Sequence, residues 1–400
     1  MRKKILLVTI LLVFVSLALE ACSSVAETEE AVSDSSTALE SAEPAFKIGY
    51  FAFPGESPSM LAVQANEVYM NAVMGGEAVF VELNDFSSEG MIDAVEQLIQ
   101  MGVDAIFICP LTEAPMAKIA QLCDEAGVYF GWNHRQMYDE EIRELVTSSE
   151  YFVGYAVENE YEAAYNAVQH MSESGIEYIA LITEDLSDTV AAERERGTRA
   201  AAEDLGVTIV GEVRGLTQGT EVTTAVESFI AAYPELQLVF CTGATTSGLV
   251  DGTLSALDQA GRTDIKMAAL DFLDGSDQAT KDGVFLVQAG GQHVPNAVYG
   301  TILVAYPLLH DGEMLGGGPV YLSMALSMAY DYEDLENYYN YVIGNLPLYT
   351  ADELNEIFLT DLTAEKMVEL AANYSMNDVA EAHISLEQGS VTDFHNRSFE

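Results

Sequence analysis

The residue types most suited to catalysis or metal binding are sparse in this sequence. Three cysteines follow position 22, and six histidines are dispersed along the chain without metal-ligand spacing. These residues are Cys109, Cys123, Cys241, His134, His170, His293, His310, His383 and His395. The sequence contains no phosphate-binding glycine loop, no nucleophile elbow and no zinc-protease motif. We therefore expect no catalytic residue, no metal site and no cofactor, and we predict that the chain is not an enzyme.

Two of the cysteines lie where predicted strands end. Ala105–Ile108 is a short apolar run that predicts a buried strand, and the amphipathic helix before it ends at Gly102. Leu238–Thr242 repeats this plan, with Cys241 near its end. In open parallel sheets, ligands bind just outside the carboxyl ends of the strands. The segment Cys109–Thr112 is therefore a candidate edge of a cleft between two similar domains.

Strands and helices alternate from Phe46 onward, which predicts α/β domains with parallel sheets covered on both faces. The first set of candidate strands is Lys47–Ala52, Ala78–Leu83, Ala105–Cys109, Val128–Trp132 and Tyr151–Tyr155. The second set is Tyr178–Thr183, Thr208–Val213, Leu238–Thr242, Lys266–Leu270 and Phe285–Gln288. A helix over Val294–His310 and a returning strand over Pro319–Ala325 are predicted to follow.

The chain is strongly acidic, with 64 acidic against 16 basic residues and a formal net charge of −48. This balance excludes nucleic-acid binding, which needs a cationic surface. The charge favours solubility, including adaptation to salt, or the attraction of a cationic ligand. Hydrophobic residues make up 49% of the 400 residues, which is enough to build two sizeable cores.

The amino-terminal segment has the layout of an export signal. Met1–Cys22 starts with basic residues, continues through the apolar stretch Ile5–Leu19 and ends in a sequence that resembles the bacterial lipobox. Cys22 is therefore the predicted lipidation site, although Glu20 departs from the usual small or apolar residue. A plain signal peptide or an uncleaved anchor is the alternative. Residues 23–45 are rich in Ser, Ala and Glu and predict a disordered acidic tether.

The carboxyl-terminal segment is acidic and rich in tyrosine. Thr350 and Thr363 precede two short helical patterns and are predicted to cap them. We expect residues 346–400 to form a helical appendix packed on the body of the protein.

Four stretches of the chain, in their order and spacing, resemble the type I periplasmic binding proteins, and more narrowly the ribose/galactose/xylose-type sugar-binding components of ABC transporters. The stretches are FKIGYFAFPGESPSM, LIQMGVDAIFICP, AAERERGTRAAAEDLG and MAALDFLDGSDQATKDG. The resemblance covers roughly residues 46–325. It implies two Rossmann-like domains joined by three crossover strands, with crossings near Val157, Gly291 and Val320. Domain 1 would then comprise residues 46–157 and 291–320, and domain 2 residues 158–290 and 321–345.

The resemblance also implies ligand-binding residues in the second domain. Arg194 falls on the family's ligand arginine, whose planar guanidinium can bond two adjacent hydroxyls. The alternative is a surface ion pair with Glu193 or Glu195. Asp271 falls on the ligand aspartate, with a helix N-cap as its alternative.

At several further positions the chain departs from the family's polar pattern or leaves the choice open. The candidate ligand-binding residues there are Phe53, Ser59, Met60, Cys109, Trp132, Asn133, Gly243, and either Gln292 or His293. Several side-chain amides and carboxylates are lost, and a buried sugar hydroxyl needs such partners. The site thus favours a less hydroxylated or larger ligand. Trp132 is interpreted either as a surface on which the ligand stacks or as part of the core.

The function implied by the resemblance is capture of a small, sugar-like ligand outside the cytoplasm. The protein would be a monomer, lipid-anchored to the cell membrane, that closes on its ligand and delivers it to an ABC permease. The alternative is a sensor that presents its closed form to a membrane histidine kinase or chemoreceptor.

Overall fold

The computed structural model describes residues 43–53, 57–184, 189–243, 248–273, 275–344 and 346–384. The predicted signal segment, Cys22 and nearly all of the acidic tether lie outside the described residues, as do residues 385–400 of the predicted appendix. The described residues from Pro44 to Ile384 belong to one compact unit. No helix in the described part is long and apolar enough to cross a membrane.

Twelve strands are present in the described part of the chain. They are β1 (Lys47–Ala52), β2 (Glu77–Glu82), β3 (Ala105–Ile108), β4 (Tyr129–His134), β5 (Phe152–Glu158), β6 (Tyr178–Thr183), β7 (Thr208–Arg214), β8 (Leu238–Cys241), β9 (Lys266–Leu270), β10 (Phe285–Gly290), β11 (Val320–Met324) and β12 (Ser327–Ala329). The predicted strands are confirmed, but β4 and β5 run to His134 and Glu158, beyond their predicted ends. They continue because Asn133 and His134 pair in register with Ala156 and Val157.

The helices of the body alternate with these strands. They are α1 (Pro58–Val73), α2 (Ser88–Gln100), α3 (Met116–Ala126), α4 (Glu140–Thr147), α5 (Glu160–Glu173), α6 (Thr189–Leu205), α7 (Gly219–Ala232), α8 (Leu249–Ala260), α9 (Ser276–Lys281) and α10 (His293–Leu309). Local signals fix several ends. Ser57 caps α1 through the backbone N–H of Met60, Pro58 occupies the first turn, and Gly127 ends α3 in the left-handed conformation with φ 70°.

The strands form two six-stranded sheets with the same plan. The first sheet has the order β11-β5-β4-β3-β1-β2 and is parallel throughout. The second has the order β12-β10-β9-β8-β6-β7 and is parallel except that β12 runs antiparallel to β10. We call the first sheet with its helices the first lobe, and the second sheet with its helices the second lobe. The predicted pair of α/β domains is confirmed.

The chain passes between the two lobes three times. The connections lie between β5 and α5, between β10 and α10, and between β11 and β12. The last connection follows Met324, because all five residues of β11 pair with β5 in the first sheet. That pairing requires Gly154, whose φ is 129° and where an added Cβ would lie 1.9 Å from the Val320 carbonyl oxygen.

A helical carboxyl-terminal region is present. It begins with α11 (Tyr332–Asn337), which precedes the predicted appendix and contacts β12 and α9 of the second lobe, and continues through a π-helical turn at Tyr338–Val342. The described part of the predicted appendix packs on the first lobe and contains α12 (Ala351–Glu353), a π-helical turn at Leu354–Leu359, α13 (Ala364–Ala372) and α14 (Met376–Ile384). Thr350 and Thr363 cap α12 and α13 as predicted. Phe358 and Tyr374 share a buried core with Tyr299 of α10, so this region extends the core that supports the site.

Candidate functional site

A cavity of about 240 Å³ lies at the carboxyl ends of β1, β3 and β4 in the first lobe. It is bounded by α1 and by the start of α10. Its lining residues are Phe51, Phe53, Met60, Val63, Gln64, Glu67, Phe107, Cys109, Leu111, Asn133, His134 and His293. The position is the one at which open parallel sheets bind their ligands. The three phenylalanines and the aliphatic side chains make the wall largely apolar, as expected of a small-molecule site.

Two polar atoms of this cavity have no hydrogen-bond partner in the part of the chain that the structure describes. They are Glu67 Oε2 and Asn133 Oδ1, and both are buried. Buried polar atoms in folded proteins are nearly always paired, so each unpaired one calls for an explanation. A ligand that donates hydrogen bonds to these oxygens would satisfy both.

Among the lining residues that the structure describes, Glu67 is the one carboxylate. It is 5% exposed, and burial raises the pKa of its carboxyl well above the usual range. The neutral acid offers one O–H donor and one acceptor in an apolar wall. Met60, Val63, Gln64 and Glu67 follow one another at helical spacing on α1, so they share one face of the helix.

The buried Glu67 carboxyl makes the stability of the protein depend on pH in a defined direction. Above the ordinary glutamate value of 4.5, the unfolded chain releases this proton while the folded protein keeps it. The folded state then binds more protons, so its stability falls as the pH rises. Glu67→Gln has no titrating group here, so it avoids this pH-dependent loss of stability. We therefore expect its melting temperature to exceed that of the wild type by an amount that grows from about pH 4 to pH 8.

Melting curves over that range would measure the effect, with Glu96→Gln on the exposed face of α2 as the control. The control should show a difference from the wild type that changes little with pH. A difference for Glu67→Gln that stays flat with pH would contradict a buried, proton-bearing carboxyl.

His134, Glu158 and His293 meet at the edge of this cavity. His134 Nδ1 lies 2.8 Å from Glu158 Oε1, and the two imidazole centroids are 5.2 Å apart. Burial lowers the pKa of His134, but the Glu158 carboxylate outweighs burial and raises the net value. Burial and the neighbouring His134 both lower the pKa of His293. Within the described residues, these three are the group whose side-chain atoms could hold a metal ion.

Arg194 lies in the second lobe, and its guanidinium is occupied by the protein itself. Nε lies 2.6 Å from Glu160 Oε2 and Nη1 lies 2.9 Å from Asp271 Oδ2. Nη1 also donates to the backbone carbonyls of Thr242 and Leu270. Burial lowers the pKa of Arg194, but the two carboxylates outweigh burial and raise it above its usual value. The residue is 4% exposed. The alternative partners considered from the sequence are wrong: Glu193 pairs with Arg196, and Glu195 with Arg199 and Arg214.

Asp271 is held in the same cluster. It directly follows β9 and has a positive φ of 135°, and both of its carboxylate oxygens accept from Arg194. A non-glycine residue in this conformation stores backbone strain, which is typical of functional sites. His134, with φ 72°, ends β4 on the first lobe. Two of the four described non-glycine residues with positive φ therefore lie at a strand end, one in each lobe.

Trp132 belongs to the core. Its ring is fully buried, stacks on Phe152 at 4.9 Å and contacts Tyr155 at 5.1 Å, and Nε1 donates to the Arg135 carbonyl. The interpretation of Trp132 as a ligand-stacking surface is therefore wrong, and the core alternative holds. The Trp132 side chain points to the face of β4 opposite to that of Asn133, which lines the cavity.

The remaining candidates divide between the cavity and its surroundings. The cavity is lined by Phe53, Met60, Cys109, Asn133 and His293. Burial, and then Glu158, raise the pKa of Cys109 to about 12, so its thiol stays protonated and is a poor nucleophile. Outside the cavity, Ser59 bonds Ser57 at the start of α1, Gln292 is buried, and Gly243 lies against Glu184.

Four polar residues at the site were missed from the sequence: Gln64, Glu67, His134 and Glu158. The helical spacing from Met60 to Glu67 was a usable signal for the first two. His134 and Glu158 were missed because β4 and β5 extend past their predicted ends.

A second cavity, of about 360 Å³, connects the two lobes. It is lined by Pro110–Glu113 and Arg135–Met137 of the first lobe and by Thr189, the first residue of α6 in the second. The segment around Cys109–Thr112 therefore borders an interlobe cleft, as its position after β3 predicted.

Comparison with known proteins identifies the family. Residues 61–313 match the family model described as periplasmic binding protein domain. The chain belongs to this family. Its two lobes form the type I fold of these proteins, as the sequence resemblance predicted. A comparison with curated proteins gives no match.

Solved structures share the fold at low sequence identity. One is a sugar-binding protein of a sugar ABC transporter from Bacillus halodurans, with 16% identity, a TM-score of 0.60 and coverage of 73% of this chain and 100% of that one. Another is an arabinose-binding protein from Geobacillus stearothermophilus, with 15% identity, a TM-score of 0.59 and coverage of 74% and 99%. A third is an ABC transporter solute-binding protein from Actinobacillus succinogenes with bound D-allose, with 14% identity, a TM-score of 0.58 and coverage of 73% and 99%.

Proposed function

We propose that this chain is an extracytoplasmic solute-binding protein that captures a small ligand between its lobes for an ABC transporter. The observation that carries the proposal is the pair of unpaired oxygens, on Glu67 and Asn133, in an apolar cavity at the strand ends. Family membership supports binding in place of catalysis, and the protonated thiol of Cys109 agrees with it.

The ligand is sugar-like but less hydroxylated than a typical hexose. The cavity wall carries three phenylalanine rings beside five polar side chains, and the Arg194 guanidinium is already bonded to two carboxylates. A ligand with one apolar face and one or two hydrogen-bond donors fits such a wall. The D-allose and arabinose named for the structural neighbours indicate the size class with which a screen should start.

Closure follows from differential affinity. The ligand binds the first lobe at the cavity and contacts the second lobe only when the lobes approach each other, so it stabilises the closed form. The three connections between the lobes are the hinge. The closed form is then recognised by the ABC permease, and lipidation at Cys22 keeps the monomeric protein at the membrane outside the cytoplasm.

We expect a matching ligand to raise the melting temperature and to reduce the radius of gyration. A hundredfold excess over the dissociation constant stabilises a protein by about 2.7 kcal/mol. A thermal-shift screen of monosaccharides, nucleosides, polyols and small amides would find the ligand, and small-angle X-ray scattering would measure closure. Asn133→Ala should weaken binding about tenfold, since it removes a hydrogen bond worth about 1.4 kcal/mol.

The matched control is Asn355→Ala, on an exposed part of the appendix, which should bind like the wild type. A ligand that binds with an unchanged radius, or equally well to Asn133→Ala, would contradict the proposed site. Crosslinking in cells would identify the membrane protein that contacts the closed form. Capture of a permease supports the proposal, and capture of a histidine kinase or chemoreceptor supports the alternative.

A further inference from the structure

We propose that His134, Glu158 and His293 form a binding site for a divalent transition-metal ion, of which zinc is the test case. Each of the three offers one ligand atom, and these atoms lie within 4.8 Å of one another. The inference concerns a site beside the ligand cavity and does not depend on what that cavity binds.

The three side chains come from elements that hold them in place. His134 ends β4, Glu158 ends β5 on the adjacent strand, and His293 begins α10. Two of these positions flank connections between the lobes. Tetrahedral zinc with bonds of about 2.0–2.1 Å places its ligand atoms roughly 3.3 Å apart. The observed 2.8 Å between His134 Nδ1 and Glu158 Oε1 needs only a small opening to admit an ion.

Glu158 supplies an independent indication of a ligand. The residue is 3% exposed, and its Oε2 has no hydrogen-bond partner within the described segments. Its other oxygen, Oε1, accepts hydrogen bonds from His134 and from Asn296 Nδ2. Asn296 lies one turn after His293 on α10, so it orients the carboxylate as an outer-sphere partner orients a metal ligand. An ion at this point would satisfy the unpaired oxygen.

The donor set indicates which ions would bind. Two imidazole nitrogens and one carboxylate oxygen suit zinc, copper, nickel or iron rather than calcium or magnesium. Three protein ligands leave a fourth position open, as in zinc sites that bind a further molecule. His134 and His293 both line the cavity beside Glu67 and Asn133. A molecule bound in the cavity would therefore lie beside the ion, and its lone pair could fill the open position.

Metal binding would break the hydrogen bond between His134 and Glu158, because the ligand atoms must be deprotonated. The expectation from sequence that the chain has no metal site came from the absence of local spacing, and His134 and His293 are far apart in the sequence.

The test uses the untagged full-length chain, purified in mild detergent and stripped with a chelator. Titration calorimetry with zinc chloride at physiological salt should show one equivalent bound. Cobalt should give the visible absorption of a low-coordinate nitrogen and oxygen site. His293→Ala and His134→Asn should weaken zinc binding by at least about tenfold, and asparagine is chosen because it tolerates the positive φ of residue 134.

The matched control is His310→Ala. His310 follows the other end of α10 and stacks on Tyr306, so its loss should leave zinc affinity unchanged. Melting curves in chelator establish that each variant is folded. No stoichiometric binding to the wild type would overturn the proposal, and so would equal binding to His293→Ala, which would assign the zinc to surface carboxylates. If the protein binds zinc but none of the screened solutes, the metal site stands and the proposed ligand class is wrong.

Discussion

Arg194→Ala is expected to destabilise the folded protein by about 3–5 kcal/mol, the usual cost of breaking a buried ion pair by removing one partner. Arg194 is the cation between Glu160 and Asp271, and its removal leaves two carboxylates facing each other in a buried cluster. The backbone carbonyls of Thr242 and Leu270 lose a donor at the same time. Chemical denaturation, monitored by circular dichroism, would measure the loss.

Arg196→Ala is the matched control for this variant. Arg196 lies two residues further along α6, is exposed, pairs with Glu193 at the surface and lies over the ring of Tyr161. Surface ion pairs contribute about 0–1 kcal/mol, so its loss should change stability little. The sequence interpretation assigned Arg194 to the ligand, and its loss would then weaken binding without unfolding the protein. Equal stability of the two variants would restore that interpretation.

Trp132→Ala is expected to cost about 3–5 kcal/mol of folding stability, as for other large aromatic side chains removed from a core. The ring is fully buried against Phe152 and Tyr155, so its removal leaves a cavity within the first lobe. Trp132→Phe keeps most of the packing and should lose much less. Because the ring does not line the ligand cavity, we expect Trp132→Phe to bind ligand like the wild type.

Leu145→Ala provides the control for the loss of an apolar side chain on the same lobe. Leu145 is 54% exposed on α4, so its removal should change the free energy of unfolding by about 0.5 kcal/mol or less. Titration calorimetry of Trp132→Phe with the ligand found by screening completes the test. If the ligand affinity of Trp132→Phe falls while its melting temperature stays near that of the wild type, Trp132 belongs to the binding site after all.

Much of the fold followed from local signals. The apolar runs at β1, β3 and β6 predicted their strands, and Thr350 and Thr363 marked the starts of two appendix helices. The errors lie at strand ends. Asn133 and His134 carry no strand signal of their own, and they extend β4 because β5 offers register partners on the neighbouring strand. A pairing of that kind is a long-range contact and leaves no trace in local composition.

The candidate site could be predicted only in part, for a related reason. Phe53, Cys109 and Asn133 line the cavity because they follow predicted strands, where a parallel sheet binds its ligands. Arg194 and Asp271 were both assigned to the second domain as ligand-binding residues, but the sequence did not show that they bond each other or that Glu160 completes their charge balance. The face on which a side chain lies at a strand end depends on the exact register. The register of β4 places the Trp132 side chain in the core.

The sequence by itself determined the alternation of strands and helices and the acidic surface charge, since these depend on residue type and periodicity along the chain. The tertiary structure decided which side chains meet. In the folded protein, Glu67 is buried in an apolar wall and Arg194 lies between two carboxylates. His134 and His293 both lie next to Glu158. Those contacts join residues far apart in sequence, and their energies depend on burial and distance, which exist only once the two sheets and α10 are packed together.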